Sequence, residues 1–419
     1  MKYSKSVASI ILSFLLLGSQ PAISSDSLIR TSSPVPVLAN IQLPAGFKAS
    51  VIADGLGGAR HIAVAANGDV FVKLSRLKDG KGIIRLRDTN KDDIYEQQTG
   101  FGNYPGTGIY VRSGYLYASS NTEVYRYKLD AKGEVMQMDE PELLVTGLVS
   151  HGRDESKSIV VDDKKNLFVT VGSYSNACLD AGSLAGPSPC KLLDSVGGVW
   201  KFKSDVQNQP FATSKRYATG LKNSVGIAWN KQTQSVFVTA HGRDEFNKFP
   251  DRFTEKMRKE LPAETIYNLH QGSDAGWPYV YYDHIRKMQM QAPEYGGDGK
   301  TPATQKFQDP VVAFPAHFAP NGLLFYTGNQ FPAKYKNGAF IAFHGFSPEK
   351  NKGFLVAFVP FKNGKPSGNW EIFADNFGED EGQPSKNGVH RPCGLAQGPD
   401  GSLFVTDDIK GRIYKIEYR

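Results

Sequence analysis

The chain has little cysteine: three residues in 419, at Cys178, Cys190 and Cys393. None lies in a CxxCH haem-attachment pattern or a CxxC metal knuckle, so neither covalent haem nor a zinc ribbon is encoded. No GxGxxG turn and no Walker loop is present, which removes the two common nucleotide cradles. The GxSxG elbow of a serine hydrolase is missing. So is the HExxH helix of a zinc protease. A dense basic run is lacking as well. Forty-nine Lys and Arg against 42 Asp and Glu give a net charge of +7, but the cations are spread along the chain. That spread excludes a nucleic-acid face and still favours small anions near the surface.

The amino terminus reads as a processing signal. Lys2 and Lys5 precede an apolar run, Val7 to Leu17, which is too short for a membrane helix. Ala22-Ile23-Ser24 supplies small residues for cleavage after Ser24. Residues 1–24 are therefore expected to be a signal peptide, 25–40 a flexible lead-in, and 41–419 the folded domain. The protein is expected in the periplasm or outside the cell, with no stable membrane insertion after cleavage. Cys178 and Cys190 flank a Gly/Pro/Ser-rich loop and are the pair an oxidising compartment would join. Three free thiols are the alternative.

What the chain does have is repetition. Its last stretch, His390 to Arg419, reads strand, turn, strand, turn, strand. Gly394-Leu395-Ala396 is followed by the turn Pro399-Asp400-Gly401, then Leu403-Phe404-Val405, then Lys410-Gly411, then Ile413-Tyr414 and Ile416. The same grammar recurs at Arg60–Lys73, Gly106–Leu129, Lys157–Gly172, Ser224–Thr239 and Pro320–Phe343. Six small meanders predict an all-β, six-bladed β-propeller; a β-sandwich is the alternative. Pro44 to Ile52 is a strand with no repeat of its own, expected to complete the last blade and close the ring. Asp88, Asn90 and Asp92 space oxygens like the start of a calcium loop, but Asp93 and Thr99 stand where its Gly and Glu belong, so a solvated turn is expected. The long segments holding Tyr174–Leu193 and Arg243–Ala316 are expected to cover one face of the ring. Phe253–Leu261 within the second is helix-compatible.

Five histidines sit beside turns or strand ends: His151, His241, His317, His344 and His390. If the blades repeat, equivalent strand ends converge on the axis, and some of these imidazoles meet there. For any single one, a structural hydrogen bond is the simpler reading.

Six stretches together resemble the soluble pyrroloquinoline-quinone (PQQ) sugar dehydrogenase superfamily, in particular its sorbosone-dehydrogenase-like branch. They are Leu43–Phe47 with Ala53–Leu56, Tyr217–Asn223 with Gly226–Trp229, His241–Glu245, Gly276–Tyr279, Phe325–Gly328 with Ala342–Gly345, and Arg391–Gly394 with Pro399–Gly401. The resemblance implies a quinone above the channel, a bridging Ca²⁺, a small sugar substrate and a separate electron acceptor. It assigns His151 as the base that takes the sugar's hydroxyl proton. It assigns Lys222 and Asn223 to the quinone, where Lys stands in for the family's Arg and loses its planar fork. Arg391 is assigned to a quinone carboxylate. Gly242 and Arg243 are assigned to Ca²⁺ through backbone carbonyls, which would make the Arg243 side chain less critical. A second departure lies at Phe346-Ser347, where the branch commonly has a Ser-Trp-Asn-Arg run. Two other functions stay open at this point: a binding propeller that lost its site, and a calcium-dependent lactone hydrolase, for which no carboxylate-rich constellation is evident.

Overall fold

The computed structural model describes Met1 and residues 37–345, 353–377, 379–380, 383–384 and 390–419. The expected signal peptide and Phe346-Ser347 lie outside the described residues, apart from Met1.

The repeats fold as six sheets around an axis, each built on four antiparallel strands, and three of them carry a fifth strand of two residues. Blade 1 runs Ala59–Val64, Val70–Lys78, Lys81–Arg87, Gln97–Phe101. Blade 2 runs Ile109–Arg112, Tyr115–Ser119, Val124–Lys128, Glu142–Thr146. Blade 3 runs Ile159–Val161, Asn166–Val171, Gly198–Lys203, Arg216–Thr219. Blade 4 runs Ile227–Asn230, Ser235–Ala240, Glu264–Leu269, Val312–Phe314. Blade 5 runs Pro320–Phe325, Ala339–Phe343, Leu355–Val359, Glu371–Ala374. Blade 6 takes Pro392–Gln397, Leu403–Asp407 and Ile413–Tyr418 from the carboxyl terminus and its fourth strand, Phe47–Ala53, from the amino-terminal side. The expected closing strand is thus where the sequence put it, and ring closure leaves no open edge between first and last blades. Val37 and Leu38, at the end of the expected lead-in, pair with that strand.

Each sheet carries apolar side chains on both faces and buries them against its neighbours. Among the described residues, six apolar clusters each join two neighbouring blades and together circle the ring. Phe237 of blade 4 is fully buried and meets Phe325 of blade 5 at 4.9 Å between ring centroids. Removing such a ring costs about 3–5 kcal/mol.

A second device repeats nearer the axis. In Val236-Phe237-Val238-Thr239, the Thr239 hydroxyl accepts from Gly226 N–H at 2.9 Å and donates to Pro320 O of the next blade at 2.6 Å. Thr406 in Leu403-Phe404-Val405-Thr406 does the same with Gly394 N–H and Arg60 O, and Ser119 with Gly108 N–H and Lys157 O. Blade 1 breaks the pattern: Val70-Phe71-Val72 is followed by Lys73. Its buried ammonium donates to Tyr104 O at 2.6 Å on the way into blade 2, and burial lowers it to about 7. The inner strands approach closely enough that a Cβ at Gly394 would stand 2.6 Å from Arg60 O, and one at Gly322 2.5 Å from Cys393 O. Only glycine fits there.

The segment after His241 holds a short helix, Glu255–Glu260, inside the helix-compatible stretch, and a hairpin of Val280–Asp283 with Met288–Gln291. The loop after blade 3's second strand is tied by a disulfide between Cys178 and Cys190. It packs on Trp277, whose indole N–H donates to Asn176 O at 2.9 Å. Among the described residues, no helix is long and apolar enough to cross a membrane.

Candidate functional site

All six inner strands run the same way along the channel. Residues just before them therefore share one mouth with residues just after the antiparallel second strands. Two residues on from Thr239 in blade 4, from Ala342 at the same place in blade 5 and from Thr406 in blade 6 stand His241, His344 and Asp408. The sequence expected the two histidines to converge there. Asp408, at the same place in the repeat, was missed, as was Arg60, the first residue of the first repeat.

These residues form one polar cluster. His344 Nε2 lies 2.7 Å from Asp408 Oδ1, and Arg60 donates to Asp408 Oδ2 at 2.7 Å and to Ser156 Oγ at 3.1 Å. Burial works against the Asp408 charge, but His344 and Arg60 outweigh it and hold the carboxyl well below its usual range. His241 Nε2 meets Asn321 Oδ1 at 3.0 Å, and His61 Nε2 meets Asn321 O at 2.9 Å. Burial lowers both imidazoles to about 4, with Lys222 adding to the effect at His241 and Arg60 at His61. Both are neutral at neutral pH. Cys393 is fully buried beside Asn321 and Arg60, and burial pushes its thiol up to about 12. It is chemically inert.

Across the mouth, between blades 3 and 4, lies a second group. Asn223 donates to Asp154 Oδ1 at 3.2 Å. Lys222, with 5% of its side chain exposed, sits 3.2 Å from Asp154 Oδ2 and 3.9 Å from Asp244 Oδ2. Arg153 reaches Asp244 at 3.9 Å. Two cations and two carboxylates thus compensate one another. Asp154 carries a positive φ of 50°, in a region where Asp is tolerated and most residues are rare. Its loop presses on blade 3: a Cβ at Gly172 would stand 2.4 Å from Asp154 O and 2.8 Å from Asn223 Oδ1.

The assigned residues fall as follows. His151 is on the same loop as Asp154 but exposed, its ring 4.2 Å from that of Tyr174. Asn223 is buried, with its Oδ1 lacking a hydrogen bond. The Arg391 guanidinium lies over the Phe354 ring at 5.3 Å; its Nε is buried without a hydrogen bond, and it makes no ion pair among the described residues. Gly242 N–H donates to Glu264 at 2.9 Å, and His317 N–H donates to the same carboxyl group at 2.9 Å. The Arg243 side chain, expected to matter less than its carbonyl, is buried, paired with buried Glu294, and lies over Phe246. It clamps the long covering segment, and a charge left unpaired at such a place is costly. Of the remaining histidines, His317 Nε2 meets Arg258 O and His390 Nδ1 meets Asp407; both serve the scaffold. At the Asp88 turn, that carboxylate accepts backbone N–H groups of Lys91, Asp92 and Asp93, as a solvated turn does.

The donor set fits a flat anionic ligand and a hard cation, with one reservation of chemistry. Asn223 Oδ1 and Arg391 Nε are buried polar atoms in want of a partner, and no hydrogen bond reaches the carbonyls of Gly242 and Arg243 among the described residues. Lys222 alone departs, because its charge is already spent on Asp154 and Asp244.

Comparison with known proteins gives the same architecture. The solved structure of the Trichoderma reesei carbohydrate-active enzyme of family AA12 superposes with a TM-score of 0.72 over 93% of this chain and 100% of that one, at 19% identity. The holo PQQ domain of pyranose dehydrogenase from Coprinopsis cinerea gives 0.69 over 92% and 98%, at 20% identity. An uncharacterised Borreliella burgdorferi protein is 29% identical over 265 residues, which is 62% of this chain and 59% of that protein. The TrAA12-like family matches residues 41–419, and the chain belongs to it.

Proposed function

We propose that the protein is an exported, quinone-dependent oxidoreductase that oxidises a sugar or sugar aldehyde and passes the electrons to a separate acceptor. The observation that carries this reading is the convergence, at one mouth of a six-bladed propeller, of His241, His344, Asp408 and Arg60 with Asn223 and Arg391. A quinone of the PQQ class, when bound, would supply the hydride acceptor.

The chain's own residues then divide the work. Arg391 holds a carboxylate of the cofactor, and Asn223 offers its free Oδ1. The carbonyls of Gly242 and Arg243 hold Ca²⁺, a cation that prefers such oxygens. His241 is neutral and fixed by Asn321, so it orients without adding charge. Proton transfer falls to the loop Gly147–Lys157, to which the resemblance assigned it through His151. The amino-terminal signal accounts for export. Sorbosone-like sugars are one substrate class within this reading.

Adding PQQ and Ca²⁺ to purified apoprotein should quench intrinsic fluorescence saturably and confer sugar-dependent reduction of an artificial acceptor. Chelator should release the quinone, and Ca²⁺ should restore it. A protein that neither binds the quinone nor reduces the dye with any aldose is a binding propeller, and the proposal fails.

A further inference from the structure

We infer that Asp154 is the carboxylate that takes the hydroxyl proton of the sugar. The inference rests on the reading above and goes further, since that reading names only the loop. Three observations carry it.

Asp154 lies against the assigned quinone pair and is next in the chain to a residue that lines a groove. On one side it touches both members of the assigned quinone pair, Asn223 at 3.2 Å and Lys222 at 3.2 Å. On the other side its neighbour Arg153, together with Tyr174, lines an open groove of about 870 Å³ walled by the disulfide-tied loop. That size holds a sugar with room to spare. His151, three residues earlier on the same loop, is exposed and laid against Tyr174.

The carboxylate is also oriented for the task. Its Oδ2 faces Lys222 and is closed to solvent. The accessible part of the side chain, 18% of its area, is therefore left to Oδ1 and the carbons. Oδ1 spends one lone pair on Asn223. A carboxylate oxygen has a second, free for an incoming hydroxyl. The Lys222 ammonium lies 3.2 Å from Oδ2, on the side away from that free lone pair.

The position is held rigidly. Gly172 has no Cβ because Asp154 O and Asn223 Oδ1 occupy that space, and the backbone at Asp154 is in the left-handed region. Such conformations cluster at functional sites.

The step balances as follows. The sugar's O–H bond breaks and its proton goes to Asp154 Oδ1. The C–H bond at the same carbon breaks, and its electron pair leaves as hydride, for which a bound quinone would be the two-electron acceptor. The carbon gains a second bond to oxygen and is oxidised by two electrons. The proton then returns to solvent from the exposed part of the side chain.

The test compares Asp154→Asn, Asp154→Ala and His151→Ala with the parent, each loaded with PQQ and Ca²⁺. Asp154→Asn keeps the size of the group and should bind quinone within about threefold of the parent by fluorescence titration. It should bind sugar with unchanged affinity by calorimetry, while kcat falls about 10²–10⁴-fold, the usual worth of a placed base. Asp154→Ala should regain turnover with added formate or acetate, in proportion to the basicity of the acid added. His151→Ala should change KM more than kcat. An Asp154→Asn enzyme with kcat within tenfold of the parent overturns the inference. So does one that loses quinone binding, because Asp154 would then be a support for Lys222 and nothing more. A parent that binds no quinone refutes the proposed function itself, and the inference with it.

Discussion

The two sides of the channel mouth hold similar charges in different ways. Between blades 3 and 4, Lys222 and Arg153 face Asp154 and Asp244 in a pairwise neutral group, whose Asp244 end is 31% exposed. From blade 5 round to blade 1, Asp408 is 8% exposed and serves both Arg60 and His344, its buried neighbour Asp407 is held by His390, and the Arg391 guanidinium is left without an ion partner among the described residues. The first side is compensated and partly wet, so a proton taken there can pass on to solvent. The second is deeper and keeps one guanidinium, that of Arg391, without an ion partner among the described residues, so it can seat an anion. The division of labour proposed above follows from that difference in compensation.

The largest expected effect breaks the deeper side. Asp408→Ala strands the Arg60 guanidinium and removes the partner of His344. Breaking a buried pair costs about 3–5 kcal/mol, and chemical denaturation should show a loss of that size. Asp244→Asn, on the wetter side, should change stability by less than about 1 kcal/mol. Equal losses would mean the two sides are not distinct.

Arg243→Ala comes next. It leaves Glu294 buried without its cation, and a loss of about 3 kcal/mol or more is expected. Limited proteolysis should then cut within the 244–316 segment before the blades. A variant as resistant as the parent would show that the clamp is not at Arg243.

The comparison is sharpened by ligand affinity. Arg391→Ala should weaken PQQ binding about 10–100-fold, the worth of a charge-assisted hydrogen bond. Lys222→Ala, whose charge is already answered, should weaken it less than tenfold. The reverse order would move the anion seat to blades 3 and 4.

How much of this was legible beforehand follows from the range of each signal. The blades are local: each is a run of apolar residues, a turn and another run, so the six repeats and the closing strand Phe47–Ala53 could be read from the chain. The equivalence of His241 and His344 was readable for the same reason, since both follow an apolar strand and precede Gly. Asp408 was hidden because Asp407-Asp408 looks like turn chemistry, and only counting from Thr406 as one counts from Thr239 brings it into register. Arg60, Asp154 and Glu294 act through partners 348, 69 and 51 residues away. No periodicity encodes such pairings. The same holds for Arg243, which read as a turn residue and proved to be buried.

The smallest effect tests the axis between the two sides. His61 is held neutral by burial and by Arg60, lowered to about 4 from 6.5, with its Nε2 on Asn321 O. Its folded value lies below its unfolded one. The unfolded chain therefore binds the extra proton first as pH falls, and the stability that the neutral imidazole contributes is fully present above about 6.5 and lost on the way down to about 4. Near pH 5.5 the loss amounts to about 1 kcal/mol. In His61→Gln the amide N–H can keep the bond to Asn321 O without titrating. Denaturation midpoints measured from pH 7 to pH 5 should fall less steeply in this variant than in the parent. Parallel slopes would mean that His61 is protonated in the folded protein already, and that the axis is more open to water than its burial implies.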